Sequence, residues 1–429
     1  MASVTNRRRT LAASAGATVL GLLAMLQAAP AAAQSAGSDS VLGRPRPGYD
    51  AMGIDLFAGP KDPGSPFILY PTLDVSGGWD DNVFRDEDNV EDDFFIKVSP
   101  AIALVSDWVN HGLSLSARAD IARWERFDRN DATSFDVAGD GFLDVGVESQ
   151  IVGGASFGRI ADPRDDVNNP SSTDLVHSWQ NEQYLGFSTN FGDFIWNTRG
   201  TRQRTNYIDN GANQDDRDYT MYLVSQRLGY EFQPGVVLFV DGSYNWRRYD
   251  DNVDDFGYER DSQGWQVRGG FSYDAAGVVA AEVSAGYLRQ TYEDDRFGVA
   301  SGFAVDGNIL WNPGDLVTIR AYAGTQVSET SLEGASGAYT THGGLGFDYD
   351  LADNLIFTSD AVFTNVDYDP VPGFVERKDD IWQASAGLIF LINEYFSLRA
   401  DYTFTLRDSN LSGQDFRDNT VFLTLHSQL

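Results

Sequence analysis

Three stretches and four scattered histidines carry residue types that could do chemistry. Gly154-Ala155-Ser156-Phe157-Gly158 matches the nucleophile elbow, in which a serine hydroxyl is lifted on a sharp strand-to-helix turn for acyl transfer. Here the five residues sit inside an alternating strand pattern, so the turn that exposes the hydroxyl is missing, and small residues in a strand wall are the expectation. Asp255-Phe256-Gly257 matches the metal-binding triplet of kinases, but neither a glycine-rich loop nor the strand lysine accompanies it. Asp250-Asp251-Asn252-Val253-Asp254 begins like a calcium loop, yet Asp255 stands where Gly is needed and Asp261 where Glu is needed, which leaves a solvated acidic loop. The histidines His111, His177, His342 and His426 are scattered without metal-ligand spacing. A hydrolase would need Ser, His and acid groups to converge from distant segments. The expectation is a protein that is not an enzyme and holds no cofactor or metal.

The arginines are more informative, because they fall on the polar side of alternating segments. Arg118, Arg199, Arg247, Arg268, Arg320, Arg399 and Arg407 share that side with Asp120, Asp241, Glu282, Asp306, Asp348, Asp360 and Asp401. If the opposite side meets lipid, these charges face the interior of a barrel. They could brace a wet wall as Arg–acid ladders, or offer guanidinium forks to carboxylate, phosphate or sugar groups passing through. Both roles are compatible.

The elements that must position them are strands. From Ile68 to Leu429 the pattern has period 2, with no 3.6-period stretch long enough for a helix. Phe396, Leu398, Ala400, Tyr402, Phe404 and Leu406 point one way, and Ser397, Arg399, Asp401, Thr403 and Thr405 the other. Val236, Leu238, Val240, Tyr244 and Trp246 split in the same way from Asp241, Ser243, Asn245 and Arg247. Alternation alone would suit a soluble sandwich. Length and connections decide: the segments run about 11 to 15 residues, as tilted membrane strands require, whereas globular strands average about 5 or 6.

Tight turns near 106–111, 147–150, 191–193, 233–235, 274–277, 312–315, 351–354 and 392–395 alternate with longer, mostly acidic connections. Those lie near 80–93, 127–133, 162–176, 208–218, 250–261, 292–298, 328–338, 367–379 and 408–418. Together they predict an all-β, transmembrane, antiparallel up-and-down barrel of about 18 strands, within a range of 16 to 20. Short turns are expected toward the periplasm and long loops outside. The last segment alternates through Val421, Leu423 and Leu425 to Leu429, as a strand that closes on the first would.

Residues 1–33 read as a secretory signal, with Arg7, Arg8 and Arg9 before the apolar run Leu11 to Leu26 and small residues Ala31 to Ala33 at the cleavage site. Residues 34–67 hold five prolines and read as an extended periplasmic leader. The chain has 63 acids against 31 bases, a net charge of −32, which argues against a nucleic-acid partner. It has no Cys, compatible with an oxidising compartment.

Several stretches resemble the outer-membrane β-barrel porin type 2 family. They are Ser40-Val41-Leu42-Gly43-Arg44-Pro45-Arg46-Pro47-Gly48-Tyr49-Asp50, then Gly53-Ile54, Phe67-Ile68-Leu69-Tyr70-Pro71 and Trp79-Asp80-Asp81-Asn82-Val83-Phe84. Tyr249-Asp250-Asp251 with Gly257-Tyr258-Glu259-Arg260-Asp261-Ser262 also looks like that family's mid-barrel loop. The departures are Lys61-Asp62-Pro63-Gly64-Ser65 and the non-aromatic Leu429. The resemblance implies a conduit in the outer membrane of a Gram-negative bacterium, associated with export of an exopolysaccharide or capsular polymer. Its implied partners are a periplasmic polysaccharide export protein, the polysaccharide itself, and surrounding lipid and lipopolysaccharide. A general solute porin and a structural anchor are the competing functions.

Overall fold

A computed structural model describes residues 49–51, 53–56, 66–166, 174–208, 214–275, 277–328, 330, 332 and 334–429. The expected signal and most of the leader, including Lys61 to Ser65, lie outside the described residues. Eighteen long antiparallel strands, β2 (Phe67–Asp80) to β19 (Phe416–Gln428), run from 12 to 18 residues each. Each pairs with its sequence neighbours, and β19 pairs with β2 from Thr420↔Asp80 to Gln428↔Thr72, so the sheet closes without an edge. Closure gives every strand a partner on both sides, as strands in a bilayer require.

One strand falls in the stretch expected to be a leader. β1 (Ile54–Leu56) pairs with Phe67 to Leu69 of β2, below the point where β19 ends. The Gly53 amide donates to the Leu429 carbonyl at 3.1 Å, and the Gln428 side chain donates to the Tyr49 carbonyl at 2.8 Å. Thus β1 prolongs the closing seam in line with β19. Tyr49 packs against Ile356, Ile389 and Leu391 at the short-turn end.

The two faces differ as a membrane barrel requires. Val240, Leu345 and Trp382 are 58%, 63% and 53% exposed on the outside, a burden that only lipid relieves. Short turns close one end: Pro234-Gly235 links β9 (Tyr219–Gln233) to β10 (Val236–Tyr249), and Gly235 has φ +81°, the left-handed value the third position of a type II turn demands. The other end carries the long connections, and these pack on one another. Arg260 is buried there, bonded to Asp254 at 2.6 Å and to the Thr330 and Ala335 carbonyls at 2.5 and 3.2 Å.

Candidate functional site: the charged lumen

The inner face carries a cavity of about 1060 Å³, lined by residues of β2 to β14 (Val317–Ser328) and of the long loops. Its wall is a network of guanidinium–carboxylate pairs. Asp241 on β10 accepts from Arg227 on β9 at 3.3 Å and from Arg268 on β11 (Ser262–Asp274) at 3.1 Å. Arg227 continues to Glu282 at 2.8 Å and Arg268 to Asp306 at 3.5 Å, so one network spans β9 to β13 (Ala300–Gly314). Beside it, Arg118 and Lys97 share Asp120 at 2.9 and 3.0 Å, and Arg199 lies 3.5 Å from Glu182 and 3.6 Å over the Tyr184 ring. On the far side Arg320 bridges Asp348 and Asp360, and Arg399 binds Asp401 at 2.7 Å.

Inward charges expected from alternation therefore meet each other. Arg247 donates to the Val327 carbonyl at 2.9 Å, and Arg407 donates to the carbonyls of Gln414 and Asp165 at 2.6 and 3.0 Å. Both stand near the long-loop end, where connections fold inward. Lys97, Glu182 and Arg227 belong to the network but were not singled out from sequence. Their signal was available, since each occupies an inward position of its strand.

Glycines let the pairs form across a strand. Gly346 on β15 (Ala335–Ala352) stands in register between Arg320 and Asp360, and a Cβ there would lie 2.5 Å from an Asp360 oxygen and 2.7 Å from an Arg320 nitrogen. With no side chain in between, the guanidinium reaches over the backbone to the next strand but one.

A loop narrows the lumen. Between β6 (Ser149–Ala161) and β7 (His177–Phe191) the chain turns in at Asp162, where the amide of Asp162 bonds the Val176 carbonyl at 2.8 Å. Arg164 binds Asn130 at 2.7 Å, and Asp165 reaches Arg407 on β18 (Phe396–Ser409), 242 residues away in sequence. Arg217, buried in a 3-10 turn, holds Asp162 at 3.2 Å and the Tyr207 hydroxyl at 3.0 Å. Burial, reinforced by Asp166 and opposed by Arg217, pushes the Asp162 carboxyl up to about 7. Burial also raises Asp165, against the pull of Arg85 and Arg407.

The other motifs have ordinary surroundings. Ser156 lies mid-strand on β6, opposite Ala138 and Glu182, with no elbow. Asp250 is bonded by Arg204 at 2.5–2.6 Å and Asp254 by Arg260, so guanidinium groups engage carboxylates of the calcium-like stretch. The four histidines lie on four different strands. Among the described residues Asp80, Asp81 and Asp418 are close enough for a metal, but Arg85 sits 3.0 Å from Asp80 and 2.9 Å from Asp418.

A family model described as Putative beta-barrel porin 2 matches residues 46–429. The chain belongs to this porin family. That membership, with the closed barrel, places it in the outer membrane. No curated protein matches the chain. Among solved structures it is similar to OpdO of Pseudomonas aeruginosa, with 12% identity, TM-score 0.46, and 84% of this chain and 97% of that one covered. It is also similar to OccK5 (OpdH) of Pseudomonas aeruginosa, at 13%, 0.44, 84% and 98%, and to the siderophore receptor PirA from the same organism, at 10%, 0.43, 84% and 80%.

Proposed function

We propose that this porin-family barrel is an outer-membrane conduit for a hydroxyl-rich exopolysaccharide or capsular polymer, with the long loops outside and the short turns facing the periplasm. The observation that carries this reading is the pairing of the lumenal charges. Arg227, Arg268, Arg320 and Arg399 each lie beside a carboxylate, so the wall offers donors and acceptors side by side with little unbalanced charge. Sugar hydroxyls both donate and accept, and a wall of this kind provides many weak, exchanging contacts along a chain. Arg199, Arg247 and Arg407, on other parts of the wall and in the long-loop mouth, extend the same surface. A periplasmic polysaccharide export protein would deliver the polymer at the short-turn end, and lipopolysaccharide would surround the barrel.

The inward loop at 162–166 favours a second reading, a porin for small solutes, because it narrows the passage. Deleting the gene separates the two. A conduit strain keeps its intracellular polymer and loses surface polysaccharide, and R199Q/R268Q/R399Q lowers it while the barrel still assembles. Unchanged surface polymer with reduced uptake of small solutes overturns the export reading in favour of the porin. If both are unchanged, the barrel is an anchor.

A further inference from the structure

Arginines also stand on the outside of the barrel. On β8 (Phe194–Ile208) Arg199 points into the lumen beside Glu182, so Arg202 and Arg204, at the alternate positions, point out. Arg202 is the register partner of Gln183 on β7 and of Tyr222 on β9, and Tyr222 is the partner of Trp246 on β10. Outward Tyr and Trp in one row mark the membrane interface. On β6, Arg159 lies in register between Phe135 of β5 (Ala132–Val145) and Trp179 of β7, and the Trp179 ring stacks on Phe157 at 5.3 Å. All three arginines lie in the long-loop half of their strands.

Their partners differ from those in the lumen. Arg204 is held at the rim by Asp250, at 2.5–2.6 Å. Arg202 meets no carboxylate among the described residues: its Nη1 donates to the side-chain oxygens of Asn181 and Gln183 at 3.2 and 3.1 Å, which leaves its Nη2 and Nε edge to an outside acceptor. Arg159 likewise uses only Nη1, toward the Thr133 carbonyl at 3.2 Å. The outward positions of β5 to β9 hold no Asp or Glu. Cations facing lipid call for an anion from the bilayer. Register places Arg159 and Arg202 about 16 Å apart at Cα, from two strand spacings and four residues of rise, too far to share one phosphate and suited to two.

Toward the short turns the same face is bare. Gly141, Gly153, Leu185 and Gly200 form one row across β5 to β8. A Cβ at Gly200 would meet nothing within 4 Å, and one at Gly153 nothing closer than 3.5 Å, so a shallow trough flanks Leu185, itself 67% exposed. A two-fold contact with a second copy would set the arginines against one another, since an isologous interface repeats the same surface on both sides.

We propose that the outer face of β6 to β8 binds a bisphosphorylated, acylated sugar of the outer leaflet, the chemistry of lipid A. Arg159 and Arg202 each take one phosphate through a guanidinium fork, and acyl chains lie in the glycine trough. The site rests on the orientation proposed above, with the long loops outside. It goes beyond a general lipid surround by fixing one molecule at one place on the wall.

Native mass spectrometry of the delipidated protein in detergent tests this with three probes: bisphosphorylated lipid A, its monophosphorylated form and phosphatidylglycerol. The expected result is one bound bisphosphorylated lipid A per barrel, with at least tenfold less of the other two at equal concentration. R159Q/R202Q lowers that binding at least tenfold while the folded form on an unboiled gel is kept. Arg289→Gln removes another outward arginine, the partner of Trp265 on β12 (Val279–Tyr292), and leaves binding unchanged. Should the double variant fail to assemble, Gly200→Leu, which fills the trough, lowers binding at least threefold. Equal binding of phosphatidylglycerol, or an equal loss in R289Q, overturns the site. An oligomer that R159Q/R202Q abolishes, with no lipid bound, overturns it in favour of a second copy. Lipid binding by the purified barrel does not depend on what the lumen carries, so the export reading stands or falls on surface polymer alone.

Discussion

Asp241 is the register partner of Arg227 on one side and of Arg268 on the other, and it divides its carboxylate between them, Oδ2 to Arg227 and Oδ1 to Arg268. The pair of bonds makes this single carboxylate the centre of the network that reaches Glu282 and Asp306. Asp241→Asn removes one negative charge there and weakens two charge-assisted bonds, each worth about 1.5–3 kcal/mol. Reversal potentials in a salt gradient should move toward chloride, and Arg268→Gln should move them toward potassium.

Lipid-facing and lumen-facing neighbours should differ in assembly. Val240→Arg places a cation against the hydrocarbon, at roughly 2–4 kcal/mol near the midplane, whereas D241N leaves the lipid face untouched. On an unboiled gel the wild-type protein and D241N should migrate as folded barrels and shift on boiling. V240R should show little of the folded form. Equal behaviour of the two variants would reverse the assignment of faces.

Gly346→Ala tests the crossing of Arg320 to Asp360. The added methyl would meet both partners of the ion pair, so thermal stability should fall, with a larger loss than for Gly200→Ala, where a Cβ meets nothing within 4 Å. Melting of the two variants in the same detergent makes the comparison.

The inward loop should loosen as pH rises. Burial holds the Asp162 carboxyl near 7, above the ordinary 3.8, so the docked loop binds a proton that the released loop gives up. The docked state is thus most stable below about pH 4 and loses stability progressively up to about pH 7. Proteolysis of the loop, or current fluctuations in a bilayer, should increase from pH 5 to pH 8. Asp162→Asn should flatten that dependence.

Much of the barrel is legible in the chain because a strand's side chains alternate locally. Arg399 and Asp401 share a face by period alone, as do Asp241 and Arg247, and the turn and loop spacing counts to eighteen strands. The face of each charge and the closed membrane barrel follow from that period, from strand length and from connection asymmetry, whereas the porin family follows from the resemblance of short motifs such as Trp79 to Phe84. Which charges meet is another matter. Arg227 with Glu282, three strands apart, and Arg320 with Asp360 across Gly346 depend on register and on the inward curve of the wall. The passage of Asp165 to Arg407 and the strand at Ile54 beneath the end of β19 join segments that have no local pattern in common. Local periodicity assigns a side chain to a face; only closure of the barrel and the packing of its loops bring distant residues on that face within a hydrogen bond of one another.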